Sequence, residues 1–500
     1  MNRLAAEAER ERKYEVAQDV VVPPFVSGTT VRGQEGPTEE HLDATYYDTA
    51  GFSLLCAGIT LRRRVGGHDE GWHLKLPVGP DEREELHLPL GTGEPEVPLE
   101  LNRLVRAYTL GRKLVPIAHL KTDRFEHRLT GPSGQVVATV ADDHVTGEVG
   151  GETARLDRWR EFEIELARDT APGLLDDLEG VLVDAGARKS VWPSKLRRLV
   201  GDRVPDEQPM GKRPAAGEVV VAYLREQLAA LRRADLGVRR DVEDSVHRLR
   251  VASRKLRSAL RTFSSIVDDE RVSGVTRELK WLGGELSPAR DGEVVEALVR
   301  DWMAGSPAEL LVGPVDQYVT RRFSRDAVQA REKALEALRS ERYLVLVQEL
   351  EAVVSSVSNE SGRADEALRK PLREAARKLR KAQQATRGLT GEELAHALHD
   401  VRKKAKGARY AADVVRPVFG AKVRAWRKNV KNVQRVLGQH QDWVVARPVV
   451  YRLGVDGGDE GVGFSFGVLY GASAGIQQGL RREFTSRWTQ LERGDAPKWL

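Results

Sequence analysis

Residues 246–260, VHRLRVASRKLRSAL, return at 398–412 as LHDVRKKAKGARYAA, 152 positions later. His247 falls on His399, Arg250 on Arg402, Arg254 on Lys406 and Arg257 on Arg409. A second pair follows: KWLGGELSPARD (280–291) and KNVQRVLGQHQD (431–442) share Lys280/Lys431, Leu286/Leu437 and Asp291/Asp442 at an offset of 151. Two matches in the same order at near-equal offset indicate a duplicated helical unit. More than half of the chain is thereby committed to two similar helical bundles facing each other.

The repeated stretch is itself unusual. Positions i, i+3, i+7 and i+10 fall within an arc of about 80° on a helix. His247, Arg250, Arg254 and Arg257 therefore form one stripe, and His399, Arg402, Lys406 and Arg409 its copy. Few acids interleave these stripes, and like charges at such spacing cost a few tenths of a kcal/mol per pair. Twice-repeated repulsion points to a polyanion ligand. A linear phosphate chain suits the geometry, because each phosphate can take a forked guanidinium. Readers of single-stranded nucleic acid add aromatic stacking platforms; Tyr410 is the one aromatic beside the rows, which disfavours DNA or RNA.

Upstream the grammar changes. The stretches at 58–65, 71–78, 83–90, 135–145 and 159–167 alternate with period two and read as strands. Residues 202–216, with three prolines, read as a linker. The boundaries are 1–201, a domain of strands, and 217–495, an all-α domain with helices at 219–235, 242–266, 273–286, 317–357, 365–385, 393–416 and 421–438. Eighty Lys+Arg oppose 75 Asp+Glu, so any electrostatic function comes from local clustering and not from the net charge of +5. The single cysteine, Cys56, excludes an intramolecular disulfide and a cysteine zinc site, and reads as a buried thiol. No apolar run reaches the ~18 residues of a membrane span. Residues 461–475 read as a buried core helix, and the chain as cytoplasmic.

The paired histidine motifs, with ARD and GQHQD after them, resemble the CHAD domain, a conserved-histidine α-helical domain. The resemblance covers roughly 217–495. It implies two four-helix bundles with pseudo-twofold symmetry that bind inorganic polyphosphate, which would also place the protein at polyphosphate granules. It assigns binding to the eight row residues, with Lys280, Lys431 and His440 as weaker candidates. Ala289 stands where the second copy has His440, so the symmetry is imperfect there.

In the first half, whole strand faces carry charge of one sign. Glu161, Glu163 and Glu165 share a face opposite Phe162, Ile164 and Leu166, and Arg62 and Arg64 share another. Three carboxylates on one face repel, and a divalent ion relieves that; hard oxygen donors suit Mg²⁺ or Mn²⁺. Glu9, Glu11 and Lys13 match the E-x-E-x-K signature of the CYTH superfamily, the triphosphate tunnel metalloenzymes. YYDTAGFSLLCAGITLRRR, LKLP, REE, KTDR, ADD, FEIEL and SKLRR continue the resemblance in order over 9–199.

That resemblance implies an eight-stranded antiparallel β-barrel tunnel, and hence an α+β chain of two domains. It implies metal-dependent hydrolysis of inorganic triphosphate or polyphosphate, or of an organic triphosphate, with adenylate cyclisation as a rarer activity. It gives Glu9, Glu11 and Lys13 the catalytic role. It places Lys13, Arg62, Arg64, Lys75, Arg83, Arg124 and Lys195 on phosphate. Glu9, Glu11, Asp143, Glu163 and Glu165 are placed on metal, with Asp142 the alternative to Asp143, since one residue of register decides which faces inward. Thr139 stands where many relatives carry glutamate, and Glu161 is positioned to compensate. A chain that binds phosphate polymers without hydrolysing them, an adaptor, is the rival reading. His41, His68, His73, His87, His119, His127, His144 and His396 show no metal-ligand spacing and read as surface or structural residues. No phosphate-binding loop motif is present; GAKVRAW at 420–426 reads as helix.

Overall fold

The computed structural model describes residues 5–26, 30–91, 96–150, 155–204, 210–357 and 362–493. Part of the expected linker, 205–209, lies outside them, as do residues 494–495 of the expected helical domain. The chain forms two compact units, Met1–Gln208 and Pro209–Leu500.

In the first unit the strands are β1 (Ala5–Glu15), β2 (Gly33–Asp48), β3 (Thr60–Val65), β4 (Gly71–Pro77), β5 (Glu82–Leu88), β6 (Val115–Thr130), β7 (Val136–Val149), β8 (Arg155–Leu166) and β9 (Arg188–Lys189). Eight of them make an antiparallel ring in the order β5-β4-β3-β2-β6-β7-β8-β1. Strand β1 closes it: its first half, Ala5–Arg10, pairs with β5, and its second half, Glu11–Glu15, pairs with β8. The two-residue β9 adds to β1 outside the ring.

Because side chains alternate across a strand, the ring has a charged inner face and an apolar outer one. Phe162 and Ile164 of β8 join Leu129, Val140 and Tyr14 outside, where Leu175, Leu178 and Leu182 of helix α2 (Leu174–Asp184) cover them. Helix α1 (Leu99–Thr109) precedes β6. Leu196 and Leu199 of α3 (Lys195–Val200) pack on Leu120, Val145 and Trp159. Cys56 is exposed, in a 3-10 turn at Leu55–Ala57, and not buried as its apolar neighbours suggested. The turn buries Leu55 and turns the next side chain out.

The second unit is all helical: α4 (Ala216–Arg239), α5 (Ser245–Thr262), α6 (Ser264–Val267), α7 (Val272–Glu285), α8 (Ser287–Gly305), α9 (Val315–Arg339), α10 (Glu341–Ser356), α11 (Ala364–Ala367), α12 (Arg369–Gln384), α13 (Gly391–Asp456) and α14 (Glu460–Arg493). The helix expected over 317–357 breaks at Ser340, whose hydroxyl accepts from Tyr343 N–H at 3.2 Å and starts a new helix. Element α13 is two helices joined at Gly420, whose φ of 56° lies in the left-handed region. The sequence did not reveal α8, because Ser287-Pro288 looks like a terminator; a proline in the first turn starts a helix equally well.

Helix α5 buries Leu249, Leu256 and Leu260, the copy in α13 buries Val401, Ala408 and Ala412, and the two helices pack on each other. The core at the far end joins Val295 and Val299 of α8, Phe323 of α9, Trp443 and Val450 of α13, and Phe466 and Leu469 of α14. The glycine-rich stretch at 461–475 opens α14. It is amphipathic and not wholly buried: Phe466 is fully inside while Phe464 is half exposed. Among the described residues no helix is long and apolar enough to cross a membrane.

Candidate functional site

The interior of the ring is a cavity of about 550 Å³. Each strand contributes alternate side chains. Glu9, Glu11 and Lys13 come from β1, Arg62 and Arg64 from β3, Lys75 from β4, Arg83 and Glu85 from β5, Arg124 from β6, and Glu163 and Glu165 from β8. Lys195, the first residue of α3, also enters it; the Ser194 hydroxyl caps that helix by accepting from Arg197 N–H at 3.1 Å.

Cross-strand register sets opposite charges beside each other. Lys13 lies opposite Glu163, and its Nζ is 2.5 Å from Glu163 Oε1 and 2.8 Å from Glu11 Oε2. Arg124 lies opposite Asp143 and grips it with two bonds of 2.7 Å, reaching Glu163 at 2.8 Å. Lys195 Nζ is 2.8 Å from Asp143 and 2.9 Å from Glu161, and also meets Glu163. Lys75 Nζ bonds Glu9 at 2.6 Å and reaches Glu85 at 3.3 Å.

Arg62 and Arg64 are different. Both Nε atoms are buried without a hydrogen-bond partner. Arg62 donates to the Tyr46 hydroxyl at 3.4 Å, and Arg64 pairs with Asp69 at the cavity wall. Burial, with Arg62 and Arg124 close by, pushes the Arg64 guanidinium down to about 9. Orphaned donors and crowded cations together are an anion site awaiting charge.

The carboxylates differ among themselves. Burial raises Glu9 to about 8 despite Lys75. Burial also opposes ionisation of Glu11, but Lys13 and Lys75 outweigh it and hold that group at about 2. Burial raises Glu165. Asp143 and Glu163 are held low against burial, Asp143 by Arg124 and Lys195 and Glu163 by Lys13, Lys195 and Arg124. Asp143, Glu161 and Glu163 present oxygens within 4.8 Å of one another, a donor set that fits a hard divalent cation. The Lys195 ammonium already neutralises much of that charge.

Register decides between the two aspartates. Asp143 faces inward and is fully buried. Asp142 does not: it lies on the other face, clasped by Arg160 through two bonds of 2.8 Å. Asp142→Ala is expected to destabilise the protein by about 3–5 kcal/mol, by orphaning a buried arginine. Denaturant melts check this.

In the helical unit, the two rows converge. Arg254 Nε donates to the Tyr410 hydroxyl at 3.0 Å, from α5 to α13. Arg250 reaches Asp291 at 3.6 Å and Arg402 reaches Asp442 at 3.6 Å, the same contact in both copies. His399 Nδ1 is 2.7 Å from Gln441 Oε1, and burial lowers its pKa. Burial, then Arg402 and Arg254, push Lys406 down to about 6. The Nε atoms of Arg402 and Arg409 are buried without partners. His247 and Arg257 lie half-buried on α5. Lys280 and Lys431 are exposed, and His440 is buried against α14.

Two family models match: CYTH domain over residues 7–186 and CHAD domain over 222–450. A Mycobacterium tuberculosis protein described as uncharacterized, found in strains H37Rv and CDC 1551, is 34% identical over 509 residues, covering 98% of each chain. The chain belongs to the CYTH–CHAD family. The CHAD domain from the plant Ricinus communis is similar at 24% identity, over 57% of this chain and 95% of that one, with a TM-score of 0.47. A Hippeastrum protein whose description reports a dominant triphosphatase activity is similar at 14% identity, over 38% of this chain and 94% of that one, TM-score 0.22. Scores this low carry no functional weight.

In the CYTH domain the ring thus gathers Glu9, Glu11, Lys13, Arg62, Arg64, Lys75, Arg83, Arg124, Glu163, Glu165 and Lys195 around one cavity, with Asp143 and Glu161 beneath Lys195. Thr139 lines it as well. Three histidines read as surface or structural also line it: His68, His73 and His87. His73 is buried, bonded to Glu85, and pushed down to about 4 by burial. Glu85 itself was missed. Its signal was present: it sits two residues after Arg83, on the same strand face. In the CHAD domain Asp291 and Asp442 were visible as a shared pair, but not as the partners of Arg250 and Arg402.

Proposed function

We propose that the CYTH domain hydrolyses a phosphoric anhydride of a small linear triphosphate with Mg²⁺ or Mn²⁺, and that the CHAD domain holds inorganic polyphosphate. The observation that carries the first half is the pair Arg62 and Arg64: buried guanidiniums with unpaired N–H groups, inside the same cavity as a carboxylate face. Asp143, Glu161 and Glu163 would hold the ion, which supplies charge stabilisation to the transferring phosphoryl group. The protein's own part is positioning. Arg62, Arg64 and Arg83 clamp the chain, Lys13 and Lys75 neutralise its oxygens, and the closed ring limits bulk water around it. Arg124 and Lys195, now paired with acids, would exchange those contacts for phosphate as metal takes the carboxylates. For the second half, the orphaned Nε atoms of Arg402 and Arg409 on converging cationic rows support a ligand of pure charge.

Phosphate release measured on tripolyphosphate, ATP, thiamine triphosphate and long polyphosphate, with and without Mg²⁺ or Mn²⁺, tests this. Metal-dependent release from at least one short triphosphate is expected. No release from any would favour a second reading, a binding adaptor. That reading draws on Lys195, which balances the acidic triad without metal, and on Thr139.

A further inference from the structure

His440 of the second motif is not part of the cationic row. It is 3% exposed and turned toward α14, where its Nε2 accepts from Arg481 Nε at 3.1 Å. Burial and the Arg481 charge lower its pKa to about 4, so the ring is neutral and keeps the lone pair that this contact needs. The first repeat has Ala289 at the equivalent place. The second copy therefore builds something that the first does not.

That contact holds Arg481, which lines a separate cavity of about 650 Å³ between the first turn of α13, a later stretch of the same element and α14. Its lining is mostly apolar, with Ala395, Val444 and Pro448 among the walls. Two aromatic rings line it: Tyr451 and Tyr470 pack against each other, 5.6 Å between centroids at 57°, and the Tyr451 ring is half exposed. Arg447 lies over the Tyr470 ring at 4.3 Å, and its Nε is buried without a hydrogen-bond partner. Among the described residues neither Arg447 nor Arg481 has an acidic partner. Glu392, exposed on the first turn of α13, is the acid of the lining.

We propose that this cavity binds a mononucleotide, with the base stacked on the exposed Tyr451 ring and the phosphate on Arg447 and Arg481. The volume suits a ligand of that size. A phosphate polymer has no ring to stack on Tyr451 or to cover the apolar walls, and a lone aromatic ring would leave both guanidiniums unpaired. Glu392 is an acceptor for an exocyclic amine of the base. The inference does not depend on what the rows or the tunnel bind.

Calorimetric titration of the full-length protein with AMP tests it. Saturable binding is expected, weakened about tenfold or more by Arg447→Met and by Arg481→Met. Tyr451→Ala, at a side chain already half exposed, should weaken it similarly without endangering the fold. Ribose 5-phosphate should bind at least about tenfold more weakly than AMP. The tunnel variant Arg62→Met should bind AMP normally. No AMP binding at millimolar concentration would overturn the proposal. So would loss of binding in Arg62→Met but not in Arg447→Met, or ribose 5-phosphate binding as tightly as AMP.

Discussion

Glu163→Gln is expected to cut metal-dependent phosphate release by about a hundredfold to a thousandfold, the range for losing one preorganised charge contact. Glu163 earns this weight by position. Its two oxygens meet Lys13, Arg124 and Lys195 at once, and it is one of the three residues that could hold an ion. An amide keeps the shape but turns an N–H₂ toward one of those cations. Three buried positive groups then share less negative charge, which costs stability on the order of 3 kcal/mol. The same excess makes the variant hungry for anions. Tripolyphosphate added without metal should therefore raise its melting temperature more than it raises the wild type's, by mass action on the folded state. Lost turnover with no fall in melting temperature, or a fall that tripolyphosphate does not recover, would sink this account of the cavity.

The tunnel was legible because a strand's period is two. Once Glu161, Glu163 and Glu165 alternate with Phe162, Ile164 and Leu166, one face must be wet or charged and the other packed. What period two cannot supply is phase. Asp142 and Asp143 are consecutive acids, and only pairing of β7 with β8 shows that Asp143 stands opposite Glu161 while Asp142 stands opposite Phe162. It also says nothing of what crosses the ring. Glu85 on β5 stands opposite Lys75 of β4 and meets His73 diagonally, and the contact makes a histidine without ligand spacing part of the lining. In the helical unit the rows were legible from spacing on single helices. Facing bundles were expected to bring the rows together; which side chains would meet was not legible, since contacts such as Arg254 with Tyr410 join residues some 150 positions apart. His440 matched a motif in sequence but turns away from the row to Arg481 of α14.

Polyphosphate affinity of the CHAD domain is expected to fall by up to about tenfold per pH unit between pH 7 and 9, and Lys406→Met should flatten that slope. Lys406 is the reason. Burial, Arg402 and Arg254 bring its ammonium to about 6, so at neutral pH the unliganded row holds it mostly as the amine. A polyanion laid on the row restores the charge, and binding takes up a proton. One proton taken up is a slope of one decade per pH unit, lost below about pH 6, where the group is charged already. The sign for stability is the reverse. The unfolded chain holds this proton up to its ordinary value near 10.5 while the folded chain has released it, so unfolding takes up a proton and unliganded stability rises with pH across the window from about 6 to 10.5. A single lysine thus drives stability and affinity in opposite directions, which a general pH effect on the surface would not do. Titrating above pH 7 keeps His399, itself lowered by burial, out of the measurement. Calorimetry in two buffers of different ionisation enthalpy counts the protons directly. Near-zero uptake at pH 7.5 in the wild type, or uptake that persists in Lys406→Met, would place the titrating group elsewhere.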